Sequence, residues 1–212
     1  MKSDQKKSEN PWLKIPAFEY EGHMSSPGVL QLQMLSELLK ETVEKYNPKS
    51  ICVPGCAGGN GFEHLADKNP DRVVGIDINP EYISLSEKRY KKVLPSLELI
   101  CSELEGINFA SGSFDLIHAA LIFEYVDSEV VLKKFYTWLL PGGILSVLLQ
   151  LPSPSPVSKT EFESVKILSG FIKLVDPDTF KRRAENLGLE LISEKIIEMR
   201  NGKKFFSAAF KK

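Results

Sequence analysis

Between Val29 and Tyr46, apolar residues fall at Leu32, Leu35, Leu38, Leu39 and Val43, the spacing of one helix face, and Pro48 follows as a stop. Beyond Pro48 the pattern changes to short apolar runs separated by amphipathic segments. Ser50–Pro54, Arg72–Asp77, Leu97–Cys101, Phe114–Ala119 and Ile144–Gln150 read as strands. Asn60–Lys68, Pro80–Lys92 and Ser128–Leu140 read as the intervening helices, the last ending at Pro141-Gly142-Gly143. Strands alternating with helices predict βαβ units and a parallel sheet with helices on both faces. The proline-rich stretch 151–158 breaks this order, because proline removes ladder donors. A short helix over the sheet edge is predicted within 161–174, and a longer one over Pro177–Leu187 with Gly188 at its end. Leu189–Met199 and Lys203–Phe210 are strand-like runs around Asn201-Gly202, a strong hairpin signal, so the sheet is predicted to end in an antiparallel hairpin.

Residues 1–10 are polar and predicted to be disordered. Residues 11–28 are aromatic-rich and read as irregular. Residues 1–28 therefore form an N-terminal tail and possible lid, 29–212 one domain, and 151–176 a possible cap on the acceptor side.

Composition narrows the function classes. The net charge of −1 gives no electrostatic case for nucleic acid as the main partner. No run reaches the ~18 apolar residues of a membrane span, and the N-terminus lacks a signal-peptide pattern. The cysteines, Cys52, Cys56 and Cys101, show neither a disulfide framework nor metal-ligand spacing, so no metal is expected. These features suit a cytoplasmic protein.

The chemistry concentrates after the first strand, where ICVPGCAGGNGFEHL joins a strand to a helix through Gly55, Gly58, Gly59 and Gly61. Glycines admit close ligand approach, and the helix start directs N–H groups into the turn. No Lys-Ser or Lys-Thr follows, which excludes a P-loop, and Ala57 breaks the G-x-G-x-x-G spacing of dinucleotide folds. Asp77 ends the second strand about twenty residues on, placed to accept from ribose hydroxyls or to cap the following helix. Ile78 offers an apolar face to a base. Glu103, after the third strand, is placed to accept from an exocyclic amine or to serve as a surface acid.

The blocks GCAGGNG, VVGIDINPEYISLSEKR, INFASGSFDLIHAALIFEYV and LLPGGIL, in this order and spacing, resemble the class I S-adenosylmethionine-dependent methyltransferases. The resemblance implies a Rossmann-like three-layer α/β sandwich with a seven-stranded, mostly parallel sheet. It implies S-adenosylmethionine as cofactor, with contacts from Gly55, Cys56, Ala57, Gly59, Asp77, Ile78, Glu103, Leu104 and Ala119. Val53 stands where the family usually has an acid, and Ala57 where it has a second glycine.

Methyl transfer from a sulfonium needs alignment and water exclusion; a base is optional. Phe123, Glu124 and Tyr125 follow the fourth strand, and Glu124 is the candidate base or orienting group, or else caps the next helix. Tyr20 and His23 are candidates to face cofactor or substrate from the lid. His118 reads as a packed core residue. The expected activity is methyl transfer to a small molecule, with Phe162, Phe171 and Ile172 making the cap apolar. A nicotinamide-dependent oxidoreductase and a non-catalytic cofactor-binding relative are the alternatives.

Overall fold

The computed structural model describes residues 10–212. The expected disorder of residues 1–10 falls, except for Asn10, outside the described residues. Strands β1 (Ser50–Pro54), β2 (Arg72–Asp77), β3 (Leu97–Cys101), β4 (Phe114–Ala120), β5 (Leu139–Gln150), β6 (Glu190–Glu198) and β7 (Lys204–Lys211) form one sheet. Its spatial order is β3-β2-β1-β4-β5-β7-β6. The first five strands pair in parallel, and β7 runs antiparallel to both neighbours. Connections from β1 lead outward to β2 and β3, and then the chain returns across β1 to β4. The point between β1 and β4 is where open α/β sheets place a ligand crevice.

Six α-helices accompany the sheet among the described residues: α1 (Ala17–Ser25), α2 (Gln31–Tyr46), α3 (Glu63–Ala66), α4 (Pro80–Tyr90), α5 (Ser128–Trp138) and α6 (Pro177–Asn186). The period-2 alternation of strand side chains splits the core in two. On one face Cys52, Val74, Ile76, Ile117 and Ala119 pack with Phe135 and Trp138 of α5 and Phe180 of α6. On the other, Ile51, Val53, Val73 and Leu116 pack with Leu39 and Val43 of α2. β5 is buried from Ile144 to Gln150, which accounts for its apolar run.

Four boundaries differ from the expectation. Residues 11–28 are not irregular: Pro11–Lys14 is a 3-10 helix capped by the Asn10 side chain, and α1 follows. The helix expected over Asn60–Lys68 contracts to the single turn of α3, because Gly59 and Gly61 hold φ values of +84° and +86° just before it. β5 begins at Leu139, earlier than Ile144. Pro141 and Gly142 tolerate this because they lie in a solvent-exposed stretch, where Gly142 reaches φ +81° and pairs with Lys212. The segment within 161–174 is a 3-10 helix, Ser164–Gly170. Its Val165 and Leu168 pack on Ile15 of the N-terminal segment rather than over the sheet edge.

Candidate functional site

The C-terminal ends of β1, β2 and β4 open into one cavity of about 970 Å³, roofed by residues 10–24 and by the stretch after β5. That volume lies near the upper end of the range for small-ligand sites.

The roof is tied down on two sides. Asn79, in the turn after β2, caps α4 through Glu81 N at 2.9 Å and donates its side-chain amide to Trp12 O at 2.9 Å. Tyr82 donates to Ile15 O at 3.0 Å, and Arg89 grips Glu21 at 2.5 and 2.9 Å. Toward the stretch after β5, Ser164 N donates to Glu19 at 2.9 Å, and His23 Nδ1 lies 2.8 Å from Thr160 Oγ1. The N-terminal segment is thus strapped between α4 and the stretch after β5. Asn79, Tyr82 and Arg89 carry this strap and were absent from the sequence candidates. Each sits on α4 or its cap, and the partner lies more than sixty residues away in the chain.

The glycine loop forms the near wall. Gly55, at φ +70°, packs closely against Ile122: a Cβ there would come within 2.9 Å of Ile122 Cδ1. Cys56 is buried, its thiol raised well above the ordinary range by burial and the Asp77 charge. Ala57 adopts φ +46°, a left-handed conformation, and its N–H donates to Asp77 Oδ2 at 2.9 Å. Asp77 Oδ1 accepts from Asn79 N at 2.9 Å. Burial outweighs these bonds and pushes the Asp77 carboxyl up to about 6. Ile78, Glu103 and Leu104 continue the wall beyond β2 and β3.

Two expected contacts lie elsewhere. Gly59 is absent from the cavity wall; a Cβ there would strike Tyr90 at 2.7 Å and Ser86 at 2.8 Å, so this glycine lets the loop close on α4. Ala119 is fully buried in the α5 and α6 core, on the opposite face from its neighbours His118 and Ala120, which do line the cavity. Phe123 likewise packs against Phe135 and Phe180 in that core.

The left-handed Ala57 carries a strain of about 1–2 kcal/mol that glycine would not. Ala57→Gly, after about 0.5–1 kcal/mol of backbone entropy, is expected to leave stability unchanged or raise it by up to about 1 kcal/mol, read from chemical denaturation midpoints. Clear destabilisation would show that the Ala57 methyl contributes packing that outweighs the strain.

The far wall is built from the ends of β4 and β5, from Lys203 just before β7, and from the roof. Glu124 is 1% exposed; its Oε1 accepts from Gln150 N at 2.7 Å, while Oε2 has no hydrogen-bond partner. Burial pushes its carboxyl up to about 7. His118 is not a core residue alone: it borders the cavity, lies 3.1 Å from Ser146 Oγ, and is depressed by burial to about 4, which keeps it neutral at pH 7. Tyr20 stacks on Tyr82 at 5.5 Å and meets Trp12 edge-on at 5.7 Å; burial raises its hydroxyl far above the usual value. His23 is buried, its imidazole lowered by burial and by the Lys203 charge. Leu121, at φ +55°, is a strained residue on the cavity wall that no sequence signal marks.

A mostly parallel sheet, a switch-point cavity, a glycine loop and an acid at the tip of β2 lie together in the arrangement by which open α/β sheets hold nucleotide-type ligands. Residues 53–147 match the family model described as a methyltransferase domain. The chain is 31% identical over 134 residues to phosphoethanolamine N-methyltransferase 1 of Arabidopsis thaliana, covering 61% of this chain and 27% of that protein. It is 30% identical over 133 residues to the mitochondrial ubiquinone biosynthesis O-methyltransferase of Saccharomyces cerevisiae, covering 60% and 42%. It thus spans well under half the length of these curated relatives. Among solved structures, the N-methyltransferase NodS from Bradyrhizobium japonicum in complex with S-adenosyl-L-homocysteine superposes with a TM-score of 0.68 at 18% identity, covering 88% of each chain. That likeness is one of fold. Among the described residues no helix is long and apolar enough to cross a membrane.

Proposed function

We propose that the chain binds S-adenosylmethionine and transfers its methyl group to a small-molecule acceptor in the cytoplasm. The observation that carries the reading is one cavity with two chemically distinct walls, a glycine-loop and carboxylate wall on β1–β3 and a buried titratable wall on β4–β7. The relatives named for phosphoethanolamine and for ubiquinone biosynthesis support a small acceptor. The net charge of −1 favours that class over nucleic acid.

The residues present fit the cofactor. Gly55 borders the cavity, and Asp77, Ile78, Glu103 and Leu104 provide a carboxylate, an apolar face, a second carboxylate and a second apolar side chain in sequence. In this reading Asp77 accepts from the ribose hydroxyls and Glu103 from the adenine amine. Gly55, Cys56 and Ala57 run beside the methionine part. The cofactor supplies an electrophilic methyl on a sulfonium. The roof of Trp12, Tyr20, His23 and Met24 excludes water, and Glu124 Oε2 takes a proton from the acceptor or orients it.

Calorimetry separates this reading from a nicotinamide enzyme. Micromolar binding of S-adenosylhomocysteine and none of NAD or NADP is the expected result. The reverse pattern would overturn it, and tight S-adenosylhomocysteine binding without methylation of any acceptor in a broad library would favour a non-catalytic relative.

A further inference from the structure

We infer that Lys203, with Gln31 and His23 lining the same cavity, forms a subsite for an anionic oxygen group, carboxylate or phosphate, on the acceptor molecule. The inference rests on the reading of the cavity as a methyl-transfer site, and it assigns a substrate class that the reading leaves open.

Lys203 precedes β7 and is only 6% exposed, yet it borders the cavity. Its ammonium donates one hydrogen bond, to Pro156 O at 2.6 Å, and no carboxylate pairs with it among the described residues. Burial alone lowers it, to about 8, so it remains largely charged at neutral pH. A buried cation without a counter-ion costs several kcal/mol, and folded proteins keep such charges paired. Two of its three donors stay available for a partner from outside the chain.

A second, independent observation points the same way. Gln31 is 4% exposed at the start of α2 and borders the same cavity, and its Nε2 has no hydrogen-bond partner. A buried amide donor without a partner and a buried ammonium with two donors to spare match an oxyanion. His23 feels the Lys203 charge, which places its imidazole in the same wall.

Position separates this subsite from the cofactor wall. Glu124 follows β4, Gln150 ends β5 and Lys203 immediately precedes β7, whereas the glycine loop follows β1 and Asp77 ends β2. A chain of contacts links the two functional ends of the far wall. Glu124 accepts from Gln150 N, Gln150 Nε2 donates to Pro156 O at 2.9 Å, and Lys203 Nζ donates to that same carbonyl. An acceptor whose nucleophilic atom meets Glu124 and whose anionic group meets Lys203 is therefore a small, compact molecule.

The test titrates inorganic phosphate and, separately, acetate into the cofactor-free and the S-adenosylhomocysteine-loaded protein at constant ionic strength. Chloride is the control, and the readout is the NMR shift of the Lys203 ammonium and of the amides at 150 and 203. A saturable shift in the millimolar range is expected from at least one probe, and the stronger probe tells phosphate from carboxylate. Lys203→Met is expected to weaken it by about tenfold or more and Lys203→Arg to retain it. Lys203→Met should melt at or above the wild-type temperature, which shows that lost binding is not lost folding.

Absence of saturation, or saturation unchanged in Lys203→Met, would overturn the inference. So would loss of S-adenosylhomocysteine binding in Lys203→Met, since Lys203 would then hold the cofactor's own carboxylate. If wild-type protein binds no S-adenosylhomocysteine, the methyl-transfer reading fails, while the titration of cofactor-free protein still decides whether Lys203 holds an anion.

Discussion

Glu124→Gln is expected to make the protein more stable and less active at once. The substitution keeps the acceptor that Gln150 N requires, and it places an amide where Oε2 now has no partner. What it removes is a buried charge. The folded-state carboxyl titrates near 7, above its ordinary 4.5, so the folded protein holds an extra proton between those two values. Stability from this group is complete below about pH 4.5 and is lost as pH rises through about 7. At pH 8 the amide variant is therefore expected to exceed wild type by up to about 3 kcal/mol, and at pH 4 to match it. Denaturant midpoints at the two pH values check this. Turnover of an identified acceptor is expected to fall about 100-fold, the range for loss of a positioned base. The wild-type pH–rate profile should rise through about pH 7 and the variant's should be flat. A variant that gains stability but keeps its rate and its pH profile would leave Glu124 without a role in the chemistry.

Asp77→Asn is expected to do the opposite to the near wall. Both carboxylate oxygens of Asp77 accept from backbone N–H groups, those of Ala57 and Asn79. An amide in that position turns one N–H acceptor into a donor that faces another donor. The loop segment at Ala57 then loses its anchor, and the ribose hydroxyls lose a charged acceptor. Two charge-assisted hydrogen bonds at about 1.5 kcal/mol each correspond to roughly a 100-fold loss of affinity for S-adenosylhomocysteine, read by calorimetry. Because the wild-type carboxyl titrates near 6, the cofactor should also bind more weakly below that pH. An Asp77→Asn protein that binds within threefold of wild type would remove Asp77 from the cofactor site.

Much of this arrangement is legible in the chain. Period and punctuation located all seven strands, and Asn201-Gly202 marked the closing hairpin, where Gly202 takes φ +80°. Asp77 was legible because a strand end and a glycine loop about twenty residues apart constrain each other. What escaped depends on phase and distance. Ala119 and His118 are adjacent in sequence, but strand alternation sends them to opposite faces, one into the core and one to the cavity. Gly59 reads like its neighbours until Tyr90 and Ser86 are seen to fill the space beside it. Lys203 reads as one of two lysines on a polar hairpin. Its burial comes from the segment around Pro156, which lies 47 positions earlier and carries no motif. The strap over the cavity depends on Asn79, Tyr82 and Arg89 meeting residues 12–21, pairings between segments with no local pattern.

In the proposed reading the cavity is divided, with the cofactor on the β1–β3 wall and the acceptor on the β4–β7 wall. A crystal structure with S-adenosylhomocysteine tests it most directly. The expected result is the ribose within hydrogen-bond reach of Asp77, the adenine between Ile78 and Leu104, and the sulfur facing the Glu124 side of the cavity. Adenosine lying against Lys203 and Gln150, with Asp77 left without a contact to the ligand, would contradict it.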